Sequence, residues 1–133
     1  MGVKGSGRDP AMAASPLDFV SALTAARAIR RGDVSSVELT TRMLARIQQL
    51  NPRLNAIVTL TADAALARAE AADAALARGE WWGPFHGVPG TIKDTFEMTG
   101  VRTTGGNPAF ANYVPKADAT VVSRLRAAGA VIL

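Results

Sequence analysis

The sequence contains no cysteine and only one histidine, His86. Without cysteine the chain can form neither a disulfide nor a thiolate metal site. The lack of cysteine fits a reducing compartment, so we expect a cytoplasmic location. A metal site needs several His, Asp or Glu residues at ligand spacing, and His86 has no carboxylate cluster beside it. No apolar run reaches about 18 residues, so a membrane-spanning helix is not expected.

Aromatic residues are also scarce, at 5% of the 133 residues, and the net charge is only +4. The basic residues are spread along the chain, with Arg30-Arg31 the one adjacent pair, whereas nucleic-acid binding favours a clustered basic surface. We therefore expect no direct nucleic-acid contact. Hydrophobic residues make up 48% of the chain, which is typical of a folded domain rather than a disordered one.

Glycine, proline and helix-capping residues divide the first half of the chain. Residues 1–14 predict a flexible leader, because they offer little to bury. Ser15 can cap a first helix that ends at Gly32, with Phe19, Leu23 and Ala26 on one buried face.

A second helix is predicted from the capping-box pair Ser35 and Glu38 to Asn51-Pro52, because the residue before proline leaves the helical region. The following segment, 55–60, favours a short strand. Two sets of residues are predicted to be buried. They are Met43, Leu44, Ile47 and Leu50 on the second helix, and Ala65, Ala69, Ala72 and Leu76 on a third helix over 62–78.

The second half of the chain predicts strands around one further helix. A strand is expected at 88–93 and a helix over 118–128, with Asp118 as its cap and Gly129 as its end. The run 130–133 is wholly apolar, as in a parallel strand that is covered on both faces. This order indicates an α/β fold. Since the chain has few elements left to cover such a strand, we expect it to be part of a larger α/β protein.

Lys93 is the most informative side chain. The sequence has three lysines, and Lys93 lies in the apolar, Gly- and Pro-containing segment 83–94. A lysine that loses water there would favour the uncharged amine and could serve as a general base for a serine nucleophile. The alternative is a structural lysine at a strand end. Nucleotide-binding loops are excluded, because Lys93 is followed by Asp94 rather than Ser or Thr.

Three neighbouring features have both a chemical and a structural interpretation. Asp94 can orient Lys93 or turn the loop, and its residue type favours the turn. His86 can be a base, or it can have a loop or substrate-adjacent role, and no Ser–Asp–His set accompanies it. The loop 103–108 can approach a ligand through its threonines and glycines, but this composition is more typical of a turn.

Several ordered blocks of the chain resemble the amidase signature family, from about Leu17 to Leu133. They include Leu50-Asn51-Pro52-Arg53-Leu54-Asn55-Ala56, Asp73-Ala74-Ala75-Leu76-Ala77-Arg78-Gly79, Gly83-Pro84-Phe85-His86-Gly87-Val88-Pro89 with Ile92-Lys93-Asp94, Gly100-Val101-Arg102-Thr103-Thr104, Asp118-Ala119-Thr120-Val121-Val122 and Ala127-Ala128-Gly129-Ala130-Val131-Ile132-Leu133. Residues 15–133 are thus expected to form the N-terminal part of an amidase signature domain, an incomplete mixed sheet flanked by helices.

The resemblance implies hydrolysis or transfer of a carboxamide nitrogen by a Ser–cis-Ser–Lys triad. Lys93 matches the triad lysine and is the one catalytic residue that it assigns here. It implies no metal or organic cofactor, a small-molecule amide substrate and no membrane contact. Homo-oligomerisation stays open.

The sequence departs from the family at two points. The Gly- and Ser-rich block that holds both triad serines is absent, so we expect an N-terminal fragment that is inactive alone. In addition, Gly90 stands where an aliphatic residue is commoner. Two alternatives remain, namely the A subunit of an aminoacyl-tRNA amidotransferase and a non-catalytic scaffold whose open strand edge binds another chain.

Overall fold

The structure is a computed structural model that describes residues 17–133. The predicted leader 1–14 and the predicted cap Ser15 lie outside the described residues. Helix α1 spans Ala22–Arg31, and its N-cap is Ser21, whose side chain accepts a hydrogen bond from the Thr24 N–H. The prediction that this helix begins at Ser15 is therefore wrong, because residues 17–19 form a turn before Ser21.

The buried face of α1 is made of three alanines and Ile29. Ala26 is buried as predicted, but Phe19 is 88% exposed and Leu23 is 54% exposed. Phe19 precedes the helix, so it does not share the helical face, and its ring lies 4.8 Å from the guanidinium carbon of Arg46. The end of α1 is as predicted, at Gly32 in the left-handed conformation with φ +75°.

Helix α2 spans Ser36–Leu54 and begins at the predicted capping box. It does not end at Asn51-Pro52, and this prediction is wrong. Pro52 lies in the last turn, and the helix ends at Asn55, whose φ is +47°. The Asn51 amide donates to the Ile57 carbonyl at 2.9 Å and accepts from the Ile57 N–H at 2.9 Å. These two hydrogen bonds hold 55–60 as a loop, so the prediction of a strand there is also wrong.

Helix α3 spans Ala62–Ala77, close to its predicted bounds. Its buried residues are Ala65, Ala69, Ala72 and Ala75, so Ala75 takes the place expected for Leu76, which is half-buried. The small side chains allow α3 to lie close against α2. Met43, Leu44 and Ile47 of α2 are partly buried against this core, whereas Leu50 is 41% exposed.

The sheet consists of two short parallel strands within the described part of the chain. Strand β1 is Pro89–Gly90 and β2 is Val131–Ile132, with Pro89 opposite Val131 and Gly90 opposite Ile132. Both strands are shorter than predicted. Val131 is fully buried against Ala65 and Ala69 of α3, whereas Ile132 is only half-buried, so the apolar run at 130–133 forms a strand that is fully covered on one face.

Helix α4 spans Thr120–Ala127, between the loop that follows β1 and strand β2. Its N-cap is Ala119, with no side-chain cap, so the prediction that Asp118 caps it is wrong. Asp118 instead accepts a hydrogen bond from the Thr99 N–H at 2.7 Å and pairs with Arg126 at 3.4 Å. The α/β class is confirmed. Among residues 17–133, no helix combines the length and the apolar character that crossing a bilayer requires.

Candidate active site

Lys93 lies where the chain leaves β1. After Gly90 the backbone continues through Thr91 and Ile92, and the Lys93 carbonyl then accepts a hydrogen bond from the Phe96 N–H at 2.9 Å, which closes a turn. This turn lies at the carboxyl ends of both parallel strands. In open α/β sheets, ligands bind at that edge.

A cleft of about 500 Å³ opens at this edge, and Lys93 lines it. Its walls come from three parts of the chain. The loop 56–59 forms one wall, residues within 91–106 form a second, and the end of β2 at Ile132 and Leu133 forms the third. A cleft of this volume is in the range of small-molecule sites, about 300–1,000 Å³.

The Lys93 side chain is exposed to solvent. This contradicts the expectation that the lysine loses water, because Thr91, Thr95, Phe96 and Glu97 beside it are exposed as well and do not cover it. Among the described residues its ammonium group has no hydrogen-bond or ion-pair partner. The side chain is thus free to meet a group that enters the cleft.

The Asp94 carboxylate binds the loop 103–108 on the other side of the cleft, and it does not bind Lys93. Its carboxylate accepts from the Thr104 N–H at 2.9 Å and from the Thr104 hydroxyl, and its backbone carbonyl accepts from the Gly105 N–H at 2.9 Å. The hydroxyl bond, with support from the backbone N–H groups, lowers the pKa of Asp94. The loop 103–108 is therefore tied to the turn that carries Lys93, as the turn interpretation of Asp94 predicts.

His86 is buried and structural. Its Nε2 lies 3.0 Å from the Ala72 carbonyl, and its Nδ1 accepts from the Trp82 N–H at 3.1 Å. These partners assign the proton to Nε2, which donates to α3. The ring stacks on Trp81 with centroids 4.6 Å apart. Since both nitrogens are occupied and His86 does not line the cleft, the interpretation as a loop residue is the one that fits.

A polar cluster that the sequence did not reveal anchors the segment before β1. The Ser36 hydroxyl donates to the Gly87 carbonyl at 2.7 Å, and the Asp73 carboxylate accepts from the N–H groups of Ser36 and Val37 at 2.7 and 3.0 Å. These residues are far apart in the sequence, so no local pattern could indicate them. The cluster fixes β1, and through it Lys93, against α2 and α3.

The remaining chemistry of the cleft is sparse. None of the serines in 17–133 lines it, and that region has no group of three His, Cys, Asp or Glu residues placed to hold a metal ion. Ser36 and Ser35 serve as structural partners in α2. Within the described chain, Lys93 is the side chain of the cleft that combines a free amine with access to solvent.

These features define an α/β protein with a lysine-lined cleft at the carboxyl edge of a parallel sheet. A family model described as Amidase matches residues 38–133. The chain belongs to the amidase family, as the resemblance of its sequence blocks predicts.

Similar proteins include one curated relative and two solved structures. The A subunit of glutamyl-tRNA(Gln) amidotransferase from Roseiflexus sp. (strain RS-1) is 48% identical over 109 residues, which are 82% of this chain and 22% of that protein. Native peptide amidase from Stenotrophomonas maltophilia matches with a TM-score of 0.81 and 35% identity, over 89% of this chain and 24% of that one. Fatty acid amide hydrolase matches with a TM-score of 0.80 and 29% identity, over 85% and 20%. The chain thus spans about a fifth of the length of these relatives.

Proposed function

We propose that this chain forms the lysine-bearing part of an amidase that cleaves carboxamide C–N bonds. The observation that supports this most directly is the position of Lys93, which lines a cleft at the carboxyl end of β1 inside the segment that the family model matches. In this proposal Lys93 is the catalytic lysine, and the two serines of the triad come from residues outside these 133.

In the proposed reaction, the uncharged amine of Lys93 takes a proton through a bridging serine from the nucleophilic serine. The serine oxygen then attacks the amide carbonyl, the C–N bond breaks, and the nitrogen leaves as ammonia or an amine after receiving that proton. Water hydrolyses the acyl-enzyme. The exposure of Lys93 in residues 17–133 is consistent with a cleft that the serine-bearing part of such an enzyme would close.

The test replaces Lys93 in the protein with both serines present. Lys93→Ala is expected to lower the release of ammonia from a small carboxamide by at least about a thousandfold, since the members of a catalytic triad act as a unit. Lys93→Arg keeps the charge but cannot accept a proton, so it should be equally inactive. Lys116→Ala, at another exposed lysine, serves as the matched control and should leave activity unchanged. If Lys93→Ala retains most of the activity, the assignment of Lys93 is wrong.

A second candidate is the A subunit of a tRNA-dependent amidotransferase. It is favoured by the curated relatives, which carry that name at 46–50% identity, whereas the solved amidases cited above are 29–35% identical. A protein of this kind would act with partner subunits and would pass the nitrogen to glutamate carried on tRNA(Gln). A cytoplasmic location and a small-molecule amide substrate stay predictions under both candidates.

The two candidates differ in what happens to the released nitrogen. Conversion of glutamyl-tRNA(Gln) to glutaminyl-tRNA(Gln) in the presence of the partner subunits would identify the amidotransferase. Release of free ammonia from unrelated carboxamides without any partner would identify the independent amidase. Lys93→Ala should abolish either activity, because both depend on the same acyl-enzyme.

A further inference from the structure

A second cavity lies between α3, α4 and the turn at 98–101. Its volume is about 380 Å³, and two arginines, Arg68 and Arg126, line it. No aspartate or glutamate is among its lining residues. The cavity shares Met98, Val101 and Ile132 with the cleft of Lys93, so the two spaces are neighbours.

Arg68 is held in place without a carboxylate partner. Its guanidinium carbon lies 3.9 Å from the ring centroid of Trp82, and its Nη2 donates to the Arg126 carbonyl at 3.2 Å. In the described part of the chain it forms no ion pair. Burial, together with repulsion from the Arg126 guanidinium, lowers the pKa of Arg68. The local field therefore favours an additional negative charge at this position.

Arg126 is only partly neutralised. It pairs with Asp118 at 3.4 Å, a long ion pair, while the other Asp118 oxygen accepts from the Thr99 N–H. Asp118 does not line the cavity. Asp118 thus pairs with one of the two guanidinium groups and not with Arg68, and the cavity keeps an excess of positive charge.

We propose that this cavity binds a phosphate group. Each guanidinium presents a planar fork of donors that matches phosphate oxygens. A phosphate monoester carries a charge of about −1.5 to −2 at neutral pH, which is opposite in sign to this excess. The cavity volume also admits a small organic group beside the phosphate. Inorganic phosphate and a phosphate monoester share this chemistry. The proposal does not depend on the role of Lys93.

Isothermal titration calorimetry of the purified protein at constant ionic strength tests the proposal. The probes are inorganic phosphate, glycerol phosphate and chloride. Arg68→Gln and Arg126→Gln should each weaken phosphate binding about tenfold, the usual loss for one charge-assisted contact. Arg53→Gln, at an exposed arginine of α2 that does not line the cavity, is the matched control and should bind as the unchanged protein does.

Further measurements keep the result interpretable. Arg68→Lys retains the positive charge, and circular dichroism checks that each variant folds. The affinity for glycerol phosphate should also rise between about pH 5.5 and pH 7.5, because a phosphate monoester loses its second proton near pH 6. Tighter binding of glycerol phosphate identifies a monoester as the ligand, and tighter binding of inorganic phosphate identifies the free ion. Phosphate affinity equal to that for chloride, or equal losses in Arg68→Gln and Arg53→Gln, would overturn the proposal.

Discussion

Replacement of Asp73 by alanine removes a cap that one helix provides for another. Four backbone N–H groups at the start of α2 have no partner inside the helix. The Ser35 N–H donates to the Glu38 carboxylate at 2.8 Å, and the Glu38 N–H donates to the Ser35 hydroxyl at 3.0 Å. The other two, from Ser36 and Val37, both donate to the Asp73 carboxylate. Asp73→Ala leaves these two without an acceptor, and Ser36 is fully buried.

The expected loss follows from these two bonds. A hydrogen bond to a charged group contributes about 1.5–3 kcal/mol, and alanine recovers up to about 0.7 kcal/mol because it is the better helix former. Because position 73 is only half-buried, water can enter there in the variant and partly replace the lost carboxylate as an acceptor. We therefore expect Asp73→Ala to lower the free energy of unfolding by about 2–4 kcal/mol, a large part of the 5–15 kcal/mol that is typical of domains.

Urea denaturation of the variant measures this loss as a lower midpoint at an unchanged slope. Asp73→Asn keeps one acceptor oxygen and should lose about half as much. Glu70→Ala, at an exposed position on the same helix, is the matched control and should change stability by less than about 0.5 kcal/mol. An effect of Asp73→Ala as small as that of Glu70→Ala would refute the reasoning that Asp73 caps α2.

Two other changes test the segments around Lys93. Gly87→Ala should destabilise the protein by about 3 kcal/mol, because φ is +71° and the added Cβ would lie 2.8 Å from the Ser36 Cβ. Gly106→Ala, with φ +72° and nothing within 4 Å, should cost only about 1 kcal/mol in the same denaturation assay, and equal losses would contradict the steric argument. Because the pKa of Asp94 is lowered in the folded state, its contribution to stability is present above the unfolded pKa, about 3.9, and is lost as the pH falls through the lower folded pKa. Thr104→Val should therefore make the melting temperature fall less steeply below about pH 4, whereas Thr104→Ser should retain the steeper fall.

Local patterns gave the correct result where the forces that decide the structure are local. The capping box of Ser35 and Glu38 joins residues three apart, and Gly32 ends α1 through its own φ. The same kind of pattern failed where a distant partner competed for the residue. Asp118 has the type of a cap, but the Thr99 N–H and Arg126 occupy it, so α4 begins without a side-chain cap.

The candidate site divides in the same way. The sequence singled out Lys93 and favoured the turn role of Asp94, because both follow from residue type and neighbours. It could not show that Asp94 binds Thr104, or that Arg68 and Arg126 share a cavity, since these contacts join distant segments. It also predicted a desolvated Lys93, whereas exposure depends on what lies across the cleft.

The sequence by itself determined the family, the capping box that begins α2 and the glycine that ends α1, and it singled out Lys93 as a candidate base. The tertiary structure decided the parallel pairing of β1 with β2, the capping of α2 by Asp73, and the exposure of Lys93 at the edge of the cleft. The physical reason is the distance along the chain over which each interaction acts. Propensity and capping act over a few residues, whereas burial and charge pairing depend on which distant segments fold against each other.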